Sequence, residues 1–137
     1  MESREFVDEI AYEIIGAGIE IQKIMGKGLL ENIYQACMQE EMKLRGLTFL
    51  TELKIQANYK GKDLLVDFRC DFFVENCVVV ELKSVKEMIG LFDAQLLTYM
   101  SLLKAPKGVL LNFTSNNLFR EGQKTFVSEY YRELPEV

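Results

Sequence analysis

The stretch VDFRCDFFVENCVVVELK, residues 66–83, decides the fold, because its side chains alternate with the period of two that β-strands have. Polar residues at 67, 69 and 71 alternate with apolar ones in a first strand, and Glu81 and Lys83 do so in a second. We therefore predict two adjacent strands, each with one face in the core. The predicted core face comprises Val66, Phe68, Cys70, Phe72, Val78, Val80 and Leu82.

The turn between these strands, near Glu75 and Asn76, sets their register. If the apolar faces coincide, the polar faces coincide too, and odd-numbered residues must lie opposite odd-numbered ones. A plain two-residue loop would pair odd with even, so we predict a loop of odd length or a bulge. One such register places Asp71 opposite Glu81, and Arg69 opposite Lys83.

The charged face formed in this way has two interpretations. Diagonal pairs, Asp71 with Lys83 and Glu81 with Arg69, would make it an ordinary lattice of ion pairs. Alternatively, Asp71 and Glu81 converge on Mg²⁺, which prefers oxygen ligands, and the basic groups meet a phosphate. In the second case a bound metal would polarise the phosphate, and a lysine would offset the charge that develops there.

The rest of the chain supplies helices on both sides of this hairpin in sequence. Apolar spacing of three and four predicts helices, a period of two predicts a further strand, and a short apolar run predicts a buried one. The order predicts an α/β sandwich with a mixed sheet, since a strand that follows a crossover helix is usually parallel to a neighbour. The predicted elements are helices at 4–25, 29–45 and 87–103, strands at 53–59 and 109–113, an edge strand within 119–128, and a helical segment in the last ten residues.

The composition limits the number of domains and the kinds of active site that this chain can form. The 137 residues suit one domain, which we expect to span residues 1–137. With no histidine, triads and imidazole metal sites are excluded, and three cysteines without metal spacing indicate buried thiols. The charged N-terminus and the lack of a long apolar run favour a cytoplasmic protein without membrane contact. A net charge of −5 counts against tight, nonspecific binding of nucleic acid.

Several motifs resemble a known family. Asp71 with the triplet Glu81-Leu82-Lys83 resembles the D-x(n)-E-x-K core of the PD-(D/E)XK nuclease superfamily. The run GLLENIY, residues 28–34, matches the signature of the GxxExxY protein family within it. RCD at 69–71, AQLLTY at 94–99 and LNF at 111–113 follow in that family's order, so the resemblance covers about residues 8–115.

This resemblance implies a restriction-endonuclease-like α-β-β-β-α-β core with a mixed sheet flanked by helices. It implies that Asp71 and Glu81 bind Mg²⁺ or Mn²⁺, that Lys83 is the catalytic lysine, and that Glu31 is an additional ligand or holds a metal-bound water. Gln95 and Tyr99 resemble the Q-x-x-x-Y helix motif of nuclease domains, in which the helix flanks the active site. For these two residues, contact with substrate and packing against the sheet both stay open. For Arg69, binding of a phosphate and neutralisation of Asp67 both stay open. Where family members commonly have a histidine near the end of the first helix, this chain has Gln22.

The expected function is therefore metal-dependent hydrolysis of phosphodiester bonds in DNA or RNA. An alternative is a catalytically silent nuclease-like module that binds nucleic acid or a partner protein, and the negative net charge favours it. A third is a fold whose charged face is only an ion-pair lattice. A homodimer is left open by the sequence.

Overall fold

The computed structural model describes residues 2–137, except for the side chains of residues 66–68, so that predictions for Val66, Asp67 and Phe68 as side chains lie outside it. Two helices come first, three strands follow, and a helix then leads to a fourth strand. The elements are α1 (Arg4–Met25), α2 (Glu31–Leu44), β1 (Phe49–Tyr59), β2 (Lys62–Val74), β3 (Val78–Lys83), α3 (Gly90–Leu103), β4 (Lys107–Asn112), a π-helical turn (Leu118–Gly122), β5 (Gln123–Val127) and α4 (Glu129–Arg132).

Local sequence explains where α1 begins and ends. The Ser3 hydroxyl accepts a hydrogen bond from the amide of Phe6 at 3.1 Å and so caps the first turn. At the other end Gly26 adopts a φ of 78°, a conformation that glycine reaches without steric cost. The buried stripe of α1, which includes Ile10, Ile14 and Ile21, follows the helical period.

Across residues 2–137 the strands form one five-stranded sheet in the order β1-β2-β3-β4-β5. β1, β2 and β3 pair antiparallel in chain order, and β4 is parallel to β3, as expected after the crossover helix α3. β5 pairs antiparallel with β4 and forms the predicted edge strand, and the helical segment near the end is the short α4.

The loop between β2 and β3 has the predicted odd length. Phe72 pairs with Val80, and Val74 pairs with Val78, which leaves three residues, 75–77, in the loop. Glu75 and Asn76 have φ values of 50° and 53°, and the amide of Cys77 donates to the carbonyl of Val74 at 3.0 Å. This is a tight left-handed turn with one extra residue, and it keeps odd residues opposite odd ones.

The sheet is buried on both faces along its central strands β3 and β4, whereas most residues of the edge strands β1 and β5 are exposed. The expectation that β3 has only one face in the core was therefore wrong. α1 and α2 pack on one face, over Phe72, Val74 and Val80, while α3 packs on the other, over Phe73 and Val79. α3 is apolar around much of its circumference, so it covers the face that the alternation had marked as polar. Glu81 and Lys83 therefore lie beneath a helix, on the side of Val79.

The predicted common face of Cys70 and Phe72 was also wrong. Cys70 packs on the α3 side, with Phe73 and Val79, whereas Phe72 packs on the α1 side. In β1, Glu52 has a φ of 48° and lies between the partners of Phe72 and Cys70. Regular alternation is thus lost at Asp71, the residue between Cys70 and Phe72.

Within the described part of the chain, none of the helices combines the length and the apolar character that crossing a membrane requires.

Candidate active site

Asp71 and Glu81 lie across from each other where β2 and β3 leave their regular pairing. The amide of Asp71 donates to Oε1 of Glu81 at 2.8 Å, and the amide of Leu82 donates to Oδ2 of Asp71 at 2.8 Å. Each carboxylate therefore accepts a hydrogen bond from the main chain of the facing strand. This reciprocal pair of bonds holds both carboxyl groups between the strands, in the register that the sequence predicted.

Burial raises the pKa of both carboxyl groups and so makes them weaker acids. Only 7% of Glu81 is exposed. Burial, followed by the negative charge of Asp71, raises the pKa of Glu81 to about 8. Burial also raises the pKa of Asp71, against the opposing effects of the Leu82 amide and the Lys83 charge. The ionised pair is thus a concentration of negative charge that the fold disfavours without a cation.

Lys83 lies on the same strand face as Glu81, two residues further along β3. Its Nζ is 4.6 Å from the centroid of the Phe92 ring, which α3 brings over the sheet. Among the residues that the structure describes, Lys83 forms no ion pair with Asp71. One of the two diagonal pairs of the ion-pair lattice is therefore not made, although the charge of Lys83 acts on both carboxyl groups and opposes the rise of their pKa values.

Comparison with known proteins agrees with this geometry. Residues 8–126 match the PD-(D/E)XK nuclease superfamily. The chain belongs to the PD-(D/E)XK nuclease superfamily. The expected restriction-endonuclease-like α/β fold with a mixed sheet flanked by helices is thereby confirmed, whereas membership of the GxxExxY subfamily stays a prediction.

A solved structure has a similar fold. A crystal structure titled SSO0001 is similar to the chain with a TM-score of 0.56 and 19% sequence identity. The match covers 94% of this chain but 65% of the other, so the chain spans just under two thirds of that protein's length. No curated protein gives a significant match.

Glu31, the third predicted metal ligand, is the first residue of α2, and its side chain is exposed. Its charge contributes to the raised pKa of both Asp71 and Glu81. Over the described residues, however, no three acidic or thiol side chains converge closely enough to hold a metal ion. The structure thus brings two of the three predicted ligands together and leaves Glu31 outside the pair.

Tyr34, the last residue of the GxxExxY signature, holds the loop before α2. Its hydroxyl donates to the carbonyl of Gly26 at 2.7 Å and accepts from the amide of Leu29 at 3.2 Å. Its ring is fully buried and stacks on Phe113, with the centroids 4.3 Å apart. Tyr34 thus fixes the segment that leads to Glu31.

Asn112 holds the segment after Lys83 in a similar way, a role that the sequence analysis did not assign to it. It pairs with Lys83 in the parallel register of β3 and β4, and it is 4% exposed. Its Oδ1 accepts from the amide of Val85 at 3.1 Å, and its Nδ2 donates to the carbonyl of Val85 at 2.9 Å. A polar residue within the apolar run 109–113 was the available signal, because a buried amide needs such partners.

The predicted substrate contacts differ in exposure. Arg69 is exposed on β2, two residues before Asp71, and Gln95 is exposed on α3. Tyr99, one turn after Gln95, is buried among the residues on the α3 side of the sheet. Burial and the charges of Glu81, Cys70 and Asp71 raise the pKa of Tyr99. Tyr99 is therefore within electrostatic reach of the carboxylate pair.

Proposed function

We propose that this chain is one nuclease domain, residues 1–137, that hydrolyses phosphodiester bonds of DNA or RNA with Mg²⁺ or Mn²⁺. The observation that carries the proposal is the reciprocal hydrogen bonding of Asp71 and Glu81 across β2 and β3. Membership of the nuclease superfamily supports nucleic acid as the substrate class.

The donor set fits a hard divalent cation. Backbone amides occupy one oxygen of each carboxylate, Oδ2 of Asp71 and Oε1 of Glu81, so the other oxygen of each is the proposed ligand. Carboxylate oxygens are the ligands that Mg²⁺ and Mn²⁺ prefer. The raised pKa of both groups supports the same conclusion, because a cation would stabilise the ionised forms that burial disfavours.

When bound, such a cation polarises a phosphate and makes water a better nucleophile. In our proposal Asp71 and Glu81 bind the cation, and Glu31 contributes as an additional ligand at its outer side. The ammonium group of Lys83 orients the attacking water and offsets the charge that develops on the phosphate. Arg69, Gln95 and Tyr99 are the proposed substrate contacts.

The central test is the Lys83→Met variant, assayed on labelled single- and double-stranded DNA and RNA with each metal. We expect cleavage to fall about 10³-fold, as when a charge-stabilising group is removed from an active site, while the melting temperature stays close to that of the wild type. Lys62→Met, a matched loss of an exposed lysine at the start of β2, should cleave normally. Absence of cleavage by the wild type with both metals would contradict the proposal.

A catalytically silent module that binds nucleic acid or a partner protein is the second candidate, favoured by the net charge of −5. For such a module the wild type would bind oligonucleotides without cutting them, and Lys83→Met would bind equally well. The same assay, run alongside a binding measurement, therefore distinguishes the two candidates.

A further inference from the structure

A cavity of about 600 Å³, lined mostly by polar residues, lies where β3 and β4 end. Its walls come from three loops: the one before α2, the one after β3 and the one after β4. Lys27 and Lys86 bring positive charge to it, and Asn112, Thr114 and Ser115 bring amide and hydroxyl groups. Glu121 is the acidic residue on its wall.

A second cavity of about 380 Å³ adjoins the first at the end of α1. The two share Lys27 and Asn116, whose side chains are hydrogen bonded to each other. The second cavity adds Lys23 and the ring of Phe119, which is 61% exposed. We call the two cavities together the lysine groove.

The walls of the lysine groove are held by Gln22, the residue found in place of the family's histidine. Its Nε2 donates to the carbonyls of Phe113 at 3.2 Å and Ser115 at 2.8 Å, and its Oε1 accepts from the amide of Leu118 at 2.9 Å. α1 is thereby tied to the loop after β4. The groove is consequently a preformed surface, which a ligand need not order on binding.

The lysine groove begins beside the candidate active site. Asn112, which lines it, is the register partner of Lys83, and both lie at the carboxyl ends of the parallel strands. Lys86 follows Lys83 by three residues, and Gly28 precedes Glu31 by three. A polymer cut at the carboxylate pair would therefore pass into this groove on one side of the cut.

The charges of the groove point to a polyanion. Three lysines line it against one carboxylate, on a chain whose net charge is −5. Positive charge thus exceeds negative charge along the groove, although the chain as a whole is negatively charged. An exposed aromatic ring beside lysines is typical of surfaces that bind single strands, because unpaired bases offer their faces for stacking.

We propose that the lysine groove binds a single strand of nucleic acid on one side of the scissile phosphate. Lys23, Lys27 and Lys86 contact successive phosphates, and Phe119 stacks on a base. This inference rests on the proposed nuclease function and specifies its substrate as single-stranded next to the cut.

The test is the affinity of the full chain for fluorescent 20-mers of single-stranded DNA, single-stranded RNA and duplex DNA, measured by anisotropy in EDTA so that no cleavage occurs. The groove variant is Lys23→Ala/Lys27→Ala/Lys86→Ala. The matched control, Lys54→Ala/Lys60→Ala/Lys62→Ala, removes the same charge from exposed lysines of β1, β2 and their turn. Comparison of the affinities for single-stranded DNA and single-stranded RNA shows whether the groove binds deoxyribose or ribose strands.

We expect the groove variant to bind single strands more than tenfold more weakly than the wild type. The slope of the logarithm of its binding constant against the logarithm of the salt concentration should be smaller by about 2, because each phosphate contact contributes about 0.7. Phe119→Ala should lose about tenfold through lost stacking, and the hairpin control should bind within twofold of the wild type.

Equal losses in both triple variants, no loss in the groove variant, tighter binding of duplex than of single strands, or no binding by the wild type would each overturn the proposal. Manganese titration of the groove variant keeps this test separate from the proposed function. Its carboxylate pair is intact and should bind metal like the wild type, whatever the groove does.

Discussion

The two ends of the β2–β3 hairpin differ in a few residue pairs: one end is apolar, and the other carries two facing carboxyl groups. At the turn end, Phe72, Val74, Val78 and Val80 are fully buried and regularly paired. At the other end, the carboxylates of Asp71 and Glu81 accept backbone hydrogen bonds across the strands. The apolar end provides stability, and it holds in place a pair of charges that the fold by itself disfavours.

The largest effect should come from breaking the turn end. Phe72→Ala removes a fully buried ring that packs edge-to-face on Phe49, with the centroids 5.7 Å apart. We expect the free energy of unfolding to fall by about 3–5 kcal/mol, through lost burial and the cavity left behind. Urea denaturation followed by circular dichroism measures this.

Leu65→Ala is the control for that variant, since Leu65 is on the same strand and 68% exposed. It should change the free energy of unfolding by less than about 0.5 kcal/mol. A loss below about 1 kcal/mol for Phe72→Ala would mean that the turn end does not stabilise the hairpin as argued.

The carboxylate end should make metal-free stability depend on pH. A carboxyl group whose pKa is higher in the folded than in the unfolded chain stabilises the fold while it is protonated. For Glu81 this contribution is complete below about pH 4.5, the ordinary value, and is lost as the pH rises to about 8. We therefore expect the urea midpoint in EDTA to fall across this range.

Glu81→Gln removes the titrating group, so its urea midpoint should vary less with pH over the same range. Phe72→Ala should be less stable at every pH but should keep the wild-type pH dependence, because the turn end carries neither carboxyl group. If the wild type were equally stable at pH 5 and pH 8, the raised pKa of Glu81 would be contradicted.

A divalent cation should reverse that loss of stability. At pH 8 we expect Mn²⁺ at one hundred times its Kd to stabilise the wild type by about 2.7 kcal/mol. Asp71→Asn and Glu81→Gln should respond little, whereas Phe72→Ala should still respond. Differential scanning fluorimetry with up to tens of millimolar metal measures the shift, and equal shifts in all four proteins would place the cation elsewhere.

The sequence predicted the contact of Asp71 with Glu81 because alternation has a strict parity. Once both strands had to bury apolar side chains, a loop of odd length or a bulge followed, and one of the registers that this allowed placed Asp71 opposite Glu81. The same argument failed for Cys70 and Phe72, because strict alternation breaks at Asp71. The positive φ at Glu52 could not be predicted from the sequence, because glutamate has no special preference for that conformation.

The burial of the charged face was not predictable from the strands alone. Alternation marks which side chains share a face, but it does not say whether a helix will cover that face. α3 covers it with Leu96, Tyr99 and Met100, and the raised pKa of Glu81 follows from that cover. Likewise, the role of Asn112 depends on the path of the chain after Lys83, which only the assembled sheet defines.

The smallest effect should come from Glu31, the exposed neighbour of the carboxylate pair. Glu31→Gln should change the metal-free free energy of unfolding by less than about 0.5 kcal/mol, because the side chain is exposed. At pH 8 the change should be a slight stabilisation, since the Glu31 charge helps to raise the pKa of Asp71 and Glu81.

Its effect on the metal separates the possible roles of Glu31. If Glu31 supports the cation from its outer side, Glu31→Gln should lower the affinity for Mn²⁺ about tenfold. This is in the range found for groups that support the direct ligands. Calorimetry of Glu31→Gln beside Asp71→Asn makes the comparison. An equal loss in both variants would make Glu31 a ligand of the same rank as Asp71, and unchanged affinity would remove it from the site.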